Sequence, residues 1–447
     1  MATPKPAVLG GTPVVDVLNQ PEWPYSGPIE SAALAEITDS GQWVGFGHIP
    51  AKWRAILEQV VADGTGYPYA VGQPNGTLGI AAGFRAQLHT RDPAWATGRS
   101  EVLVPTLTHA SANQGVLHGI ATKLGRAPDL VPVDCRRDGT MDADVVAAYL
   151  HANADRVLGV MPATMYGNFG ALDRICALAD QYDVMVHHDN ALGGAARYDG
   201  AKAPTASLSA QGEGKATPSC EGGALTCADA ETAAVARADS DCGLWPTRYD
   251  PIPHRDADPL AAGNQRMGEQ PAALMLVQWL RALHDRLIVR ENRRIITEAV
   301  SAGDDVSPTP WLWVPPTDAE YPPFFCLFME CLDSMEEEVG ISPEDLRVAL
   351  IAEGIWAEAG YAPTHMDPAW APVVADRGLS YDGAQRVHER AVFVHNKYMR
   401  HPDFADWMRE ILLRVRRHAH EVRGAAERAG ERRKYTNPIN RRHRAHT

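Results

Sequence analysis

Residues 205–225 read Thr205-Ala-Ser-Leu-Ser209-Ala-Gln-Gly-Glu-Gly-Lys215-Ala-Thr-Pro218-Ser-Cys220-Glu221-Gly222-Gly223-Ala-Leu225. One lysine stands among small and polar residues, six positions before a Glu-Gly-Gly run. Glycine and alanine flank Lys215 and Pro218 follows, so it is not part of an amphipathic surface helix. A lysine in a tight small-residue turn is a candidate Schiff-base amine, because attack on an aldehyde needs close approach and a lowered pKa. The same stretch also reads as an ordinary solvated loop lysine. The rest of the chain has to choose between the two.

Upstream of this stretch the pattern alternates strand and helix. Short apolar strands are expected at 101–105, 130–133, 157–162 and 184–187, the last delivering Asp189. Helices are expected at 111–124, 142–151 and 172–182. This rhythm predicts an α/β fold whose mostly parallel sheet lies between helices, with ligands at the carboxyl ends of the strands. Nearer the N-terminus, a strand from Tyr69 runs into Asn75-Gly76-Thr77 and a small-residue helix. Free amides at that helix start, the helix dipole and the Thr77 hydroxyl make an anion site, with phosphate the usual guest. An Asn-Gly turn with a plain helix cap is the bland alternative.

Residues 1–30 are rich in Pro and Gly and read as an extended arm. Helices are expected at 29–40 and 50–63, the second burying Trp53, Ile56, Leu57 and Val60 on one face. Segment 228–262 has weak periodicity and reads as a long, partly irregular excursion. The longest helix signal runs from 269 to about 300, with Ala273, Leu276, Val277, Leu280, Leu283 and Leu287 in register. A Pro-rich break precedes a strand at 324–330, a helix at 343–353, a strand at 391–395 and a helix at 403–422. The division expected is an arm (1–30), a large domain (31–290), a smaller C-terminal α+β domain (291–425) and a flexible basic tail (426–447).

A chain of 447 residues suggests a large domain plus a smaller one. Its net charge of −14 argues against general nucleic-acid binding. Seven scattered cysteines without a C-x-x-C pair argue for reduced thiols and against a zinc site. No apolar run is long enough to span a bilayer and no secretory signal begins the chain, so the expected location is the cytoplasm.

A phosphate-type turn, a carboxylate at a strand end and a candidate imine lysine are the three groups that pyridoxal phosphate (PLP) requires. The lysine holds the aldehyde, the carboxylate keeps the ring nitrogen protonated, and the turn holds the phosphate. His109, just after the strand 101–105, is placed to lie over the ring; a core or loop histidine is the alternative.

At this point the chain resembles the DegT/StrS-type sugar aminotransferases of PLP fold type I. The resemblance is carried by L-G-G-T-P-V (9–14), N-G-T (75–77), E-V-L-V-P-T-L-T-H (101–109), M-Y-G-N (165–168), H-D-N-A (188–191), the lysine stretch with E-G-G, and G-N-Q-R-M-G-E-Q-P-A-A-L (263–274). A-E-G-I (352–355) and Y-A-P-T-H (361–365) also fit. It implies a large domain with a seven-stranded sheet and roles at matching positions. Lys215 would carry the cofactor and shuttle the proton. Asp189 would pair with the pyridine nitrogen, and His109 would stack on the ring. Gly76, Thr77 and Ser209 would bind phosphate. Asn264 would reach the phosphate of the neighbouring subunit's cofactor in a homodimer with shared sites. Arg266 belongs to the same loop, and Tyr166 would line the substrate pocket.

Three departures stand out. Leu192 occupies a position where many relatives carry Gln, the Ser209-to-Lys215 spacing is one residue longer than usual so that Ser207 competes with Ser209, and Cys220 replaces a small residue before E-G-G. The basic C-terminal extension has no counterpart and could recognise an anionic group.

The function implied is transfer of an amino group from glutamate or glutamine to the ketone of a sugar, cyclitol or nucleoside-like intermediate of specialised, antibiotic-type biosynthesis. No metal, nucleic-acid or membrane partner is expected. A dehydratase of the same fold is the alternative, though relatives of that kind replace the lysine. A PLP-binding regulator would need a DNA-binding segment or a lost lysine. A dinucleotide oxidoreductase would need a G-x-G-x-x-G after the first strands, and none is present.

Overall fold

The computed structural model describes residues 3–16, 18, 20–45, 51–246, 250–253, 260–301, 310–316 and 325–430. Seven strands form the large sheet: β1 (Tyr69–Gln73), β2 (Glu101–Pro105), β3 (Asp129–Val133), β4 (Val157–Val160), β5 (Met185–Asp189), β6 (Thr205–Ser209) and β7 (Gly223–Cys227). Their order is β1-β7-β6-β5-β4-β2-β3, and β7 alone runs against the rest. Nearly every strand residue is buried, which is why β2, β3 and β4 read as mostly apolar runs and not alternating ones.

The lysine stretch is therefore the connection of an antiparallel hairpin, β6 to β7. The Ser- and Ala-rich β6 and Gly-led β7 carry few bulky side chains. Helix Gly76–His89 lies directly on them, and its glycines let it settle there. A methyl at Gly76, Gly79 or Gly83 would stand 2.8, 3.1 and 2.3 Å from Ser209 Cβ, Ser207 Cβ and His187 Nδ1. These three glycines lie on one helix face and let the helix close on Ser209, Ser207 and His187.

Several expectations change. Segment 228–262 contains helix Ala230–Ser240, nearly all of it buried. An Ala-rich helix enclosed on every side has no polar face and so no period to detect. In helix Lys52–Thr65 the buried side is Arg54, Leu57, Glu58, Val61 and Ala62, while Ile56 is exposed. The charged members are buried because Glu58 accepts from Arg237, at 2.6 Å, and from the Gly72 amide, at 2.7 Å. In helix Glu269–Ser301, Leu280 and Leu287 point outward and Met275, Leu276, Trp279 and Ala282 point in.

The second sheet is antiparallel, in the order β10-β11-β9-β8, from β8 (Leu312–Trp313), β9 (Cys326–Cys331), β10 (Ala357–Ala359) and β11 (Ala391–His395). Helix Glu269–Ser301 runs unbroken across the expected boundary at 290, and one apolar core extends from Val15 to Ala426. The arm docks on the small domain: buried Glu353 accepts from the Ala7 and Val14 amides at 2.9 and 2.8 Å. The expected tail does not begin at 426, since Ala425–Arg428 is helical with Ala425 and Ala426 buried. Residues 431–447 lie outside the described residues, as does Phe324 of the expected strand. Among the described residues no helix is long and apolar enough to cross a membrane.

Candidate active site

Strands β1, β2, β5 and β6 point the same way, and their carboxyl ends open on one cavity of about 510 Å³. Gly76, Thr77, His109, Asp189, Ser209 and Lys215 all line it. The sequence separates these residues by up to 139 positions; the parallel sheet brings them together.

The anion turn follows β1. Asn75 Oδ1 accepts from the Leu78 amide at 2.9 Å and caps helix Gly76–His89. That leaves the first amides of the helix, those of Gly76 and Thr77, at its mouth on the cavity wall. Gly223 explains the Glu-Gly-Gly run: its Cα lies under the turn, where a methyl would stand 2.9 Å from the Asn75 carbonyl carbon and 3.1 Å from the Gly76 nitrogen. Ser209 faces the cavity beside this turn. Ser207 is two residues deeper, fully buried, with its hydroxyl 3.1 Å from His187 Nε2.

Asp189 ends β5 and is buried. Burial raises the pKa of its carboxyl, while the Ala191 amide, which donates to Oδ1 at 3.0 Å, and the Lys215 charge pull it back. The flanking His187 and His188 are held neutral by burial, each pushed down to about 3. The Thr164 hydroxyl donates to Asn190 Oδ1 at 2.8 Å and so accepts from His188 Nε2 at 2.7 Å.

Lys215 opens on the cavity. Burial pushes its ammonium down to about 8, against the Asp189 charge. Its Nζ lies 5.8 Å from the centre of the Phe325 ring. His109 caps helix Ala110–Leu124, with Nδ1 accepting from the Ser111 amide at 3.2 Å. Burial, and then Lys215, push its pKa down to about 4, so it presents a neutral ring to the cavity.

The remaining expected site residues stand elsewhere. Tyr166 does not line the cavity. It sits one layer behind, fully buried at a φ of 54°, and its hydroxyl accepts from the Tyr361 amide at 2.9 Å. Its ring packs on Phe328 and Phe393, and Tyr361 and Phe393 form the wall in its place. A residue locked in the core by packing on three rings cannot also face a ligand. Asn264 is exposed, away from this chain's own cavity, and bridges to Asp241; Arg266 donates to Asp241 at 2.6 Å. Leu192 does lie on the cavity. Sequence reasoning singled out none of Thr164, Phe325, Glu358, Phe393 and His395, which also line the cavity. Four come from the small-domain sheet, Glu358 in β10, Phe393 and His395 in β11 and Phe325 just before β9, and only the closing of that sheet against the large one carries them to the site.

This donor set fits PLP. It offers a lysine of lowered pKa, a buried carboxylate held by one amide, a neutral ring and a glycine-floored helix mouth suited to a phosphate. The cavity has the size of a small-molecule site. The fold and the site define a fold type I PLP-dependent enzyme.

The chain belongs to the DegT/DnrJ/EryC1/StrS aminotransferase family, whose family model matches residues 26–403. It is similar to the L-glutamine:2-deoxy-scyllo-inosose aminotransferase of Streptomyces paromomycinus, with 26% identity over 382 residues, 83% of this chain and 82% of that protein. Among solved structures it is similar to 3-amino-5-hydroxybenzoic acid synthase (TM-score 0.69, 20% identity, 90% of this chain and 100% of the other). It is also similar to the E. coli GDP-4-keto-6-deoxy-D-mannose-3-dehydratase with bound hydrated PLP (TM-score 0.70, 16% identity, 90% and 99%). At these identities the two structures speak to the fold alone.

Proposed function

We propose that the enzyme transfers an amino group from glutamine or glutamate to the ketone of a cyclitol, sugar or nucleoside-like intermediate in specialised, antibiotic-type biosynthesis. The observation that carries the reading is the convergence of Lys215, Asp189, His109, Gly76, Thr77 and Ser209 on one cavity. The likeness over four-fifths of the chain to an aminotransferase of a deoxy-inosose supports the acceptor class and a glutamine donor.

PLP, when bound, supplies an aldehyde and an electron-withdrawing ring. The chain supplies the rest. A Lys215 amine with a pKa near 8 is partly neutral at physiological pH, so its Nζ can hold the aldehyde carbon and, once released, take up and return a proton. The Asp189 carboxylate would pair with a protonated ring nitrogen, whose charge would offset the cost of burying Asp189. The neutral His109 ring would lie over the cofactor ring without adding a charge. The amides of Gly76 and Thr77, with the Thr77 and Ser209 hydroxyls, would hold the phosphate. Phe325, Tyr361 and Phe393 form an apolar small-domain wall that limits water.

The exposed Asn264 and the neighbouring Arg266 serve the site of a second copy, so the working form is a homodimer with shared sites. Leu280 and Leu287, two turns apart on the same exposed helix face, fit a surface covered by that copy.

The test is the visible spectrum of the PLP-loaded protein before and after L-glutamine or L-glutamate, beside Lys215→Ala. A lysine-bound band that the donor bleaches, and that the variant lacks, is expected. A coloured protein that no amino acid bleaches would replace this reading with the dehydratase-like one.

A further inference from the structure

Lys215 is held very differently on its two sides. On the N-terminal side lie Gly212, at a φ of 33°, and Gly214, in one turn of 3-10 helix. The bonds there are long: Gln211 N to Ser209 Oγ is 3.5 Å and Gly212 N to Cys220 O is 3.4 Å. On the C-terminal side, Ala216 is buried in the main core. Its methyl group faces Gly194, where any added carbon would stand 2.7 Å away. Its carbonyl accepts from Arg400 Nη2 at 2.5 Å.

Arg400 belongs to the small domain. It follows the short helix Asn396–Met399, five residues after His395 of the cavity wall. Its side chain is 9% exposed, with Nη1 3.7 Å from Asp285 Oδ2. The guanidinium lies 4.7 Å from the ring centre of Trp23, in the N-terminal arm. One side chain therefore touches the arm, the long helix and the peptide that follows the lysine. A buried charge is costly unless paired, and simple packing at this place would have been met by an apolar residue.

We infer that Arg400 is a positioning residue for Lys215: it fixes the lysine's peptide from the small-domain side, and Trp23 holds the guanidinium in place. This rests on Lys215 being the residue that carries the cofactor. The lysine must release and recapture its partner many times with its backbone unmoved, and the glycine-rich side of its turn cannot supply that restraint. The strand-end wall that would face the acceptor is continuous in sequence with this anchor, through β11 and the four-residue helix.

The test compares wild type with Arg400→Met, Arg400→Lys and Trp23→Ala. Without cofactor, hydrogen exchange at the amides of Lys215, Ala216, Thr217 and Ser219 is expected to quicken about tenfold or more in Arg400→Met, the loss of one charge-assisted bond. The half-point of Lys215 methylation by formaldehyde and borohydride is expected to move up from about 8. In the loaded enzyme kcat falls about tenfold with the donor KM unchanged. Arg400→Lys, which keeps a charged donor, recovers part of each effect, and Trp23→Ala shows them more weakly. Wild-type exchange and methylation profiles in Arg400→Met would overturn the inference, even if its melting temperature falls. If Arg400→Met does not fold, Arg400→Lys and Trp23→Ala decide, and wild-type behaviour in both overturns it. Borohydride reduction of the loaded wild type and peptide mapping report separately on the site. Cofactor on a different lysine refutes the functional reading, whereas cofactor on Lys215 with an unmoved Arg400→Met refutes the positioning role alone.

Discussion

Replacing Gly223 by alanine probes the floor of the anion turn. The residue lies in β7 with no left-handed backbone, so the chain itself accepts alanine; the obstacle is space. The new methyl would stand 2.5 Å from the Leu208 carbonyl oxygen, 2.9 Å from the Asn75 carbonyl carbon and 3.1 Å from the Gly76 nitrogen. Ordinary contact begins near 3.4 Å, so the clash with Leu208 is about 0.9 Å and that with the turn about 0.5 Å, all against backbone. Leu208 is fixed in the sheet between β5 and β7, so the turn is what gives way. Overpacking of this kind costs about 1–3 kcal/mol. Where that strain has to be recovered to seat a phosphate, affinity falls about tenfold to hundredfold. The assay is titration of the cofactor-free protein with PLP, followed by visible absorbance. Gly222→Ala is the control, because its methyl would crowd only the far end of the flexible Met267 side chain, at 2.9 Å, and meets Ser219 and Ala210 at ordinary contact distance. Wild-type PLP affinity in Gly223→Ala, or equal loss in both variants, would refute the reasoning.

Two further outcomes are expected. Only a neutral Lys215 amine attacks an aldehyde, and its pKa is lowered to about 8. The rate of PLP capture by the cofactor-free protein should therefore climb about tenfold per pH unit below that value and level off above it. Stopped-flow traces that keep climbing to pH 10 would show an unperturbed lysine. Glu353→Ala removes both acceptors of the arm amides, so thermal denaturation should show a loss of about 1–3 kcal/mol, and limited proteolysis should cut within the first residues sooner.

The sequence by itself determined whatever rests on neighbours along the chain. The strands β2 to β5 are legible as apolar runs between helix signals, and their carboxyl ends locate Asp189 and the loop of His109. Asn75-Gly76-Thr77 is a cap and a turn by local chemistry alone, and Lys215 is conspicuous by its small neighbours. Where a feature depends on being enclosed, those signals vanish. Helix Ala230–Ser240 is buried all round and has no period, and β6 and β7 are small and polar because a glycine-faced helix lies on them.

The choice between Ser207 and Ser209 shows the divide. They are two apart in a strand and so share a face, and nothing along the chain separates them. The helix above does: its Gly76 stands over Ser209 at the mouth and its Gly79 over Ser207 one turn deeper, so only Ser209 reaches the cavity. Likewise Tyr166, expected on the pocket wall, is drawn behind it by three rings and an amide of the small domain. Local pattern fixes which elements form and which face is apolar. How deep a residue lies is a property of two surfaces meeting, and only the tertiary packing of helix on sheet and domain on domain decides it.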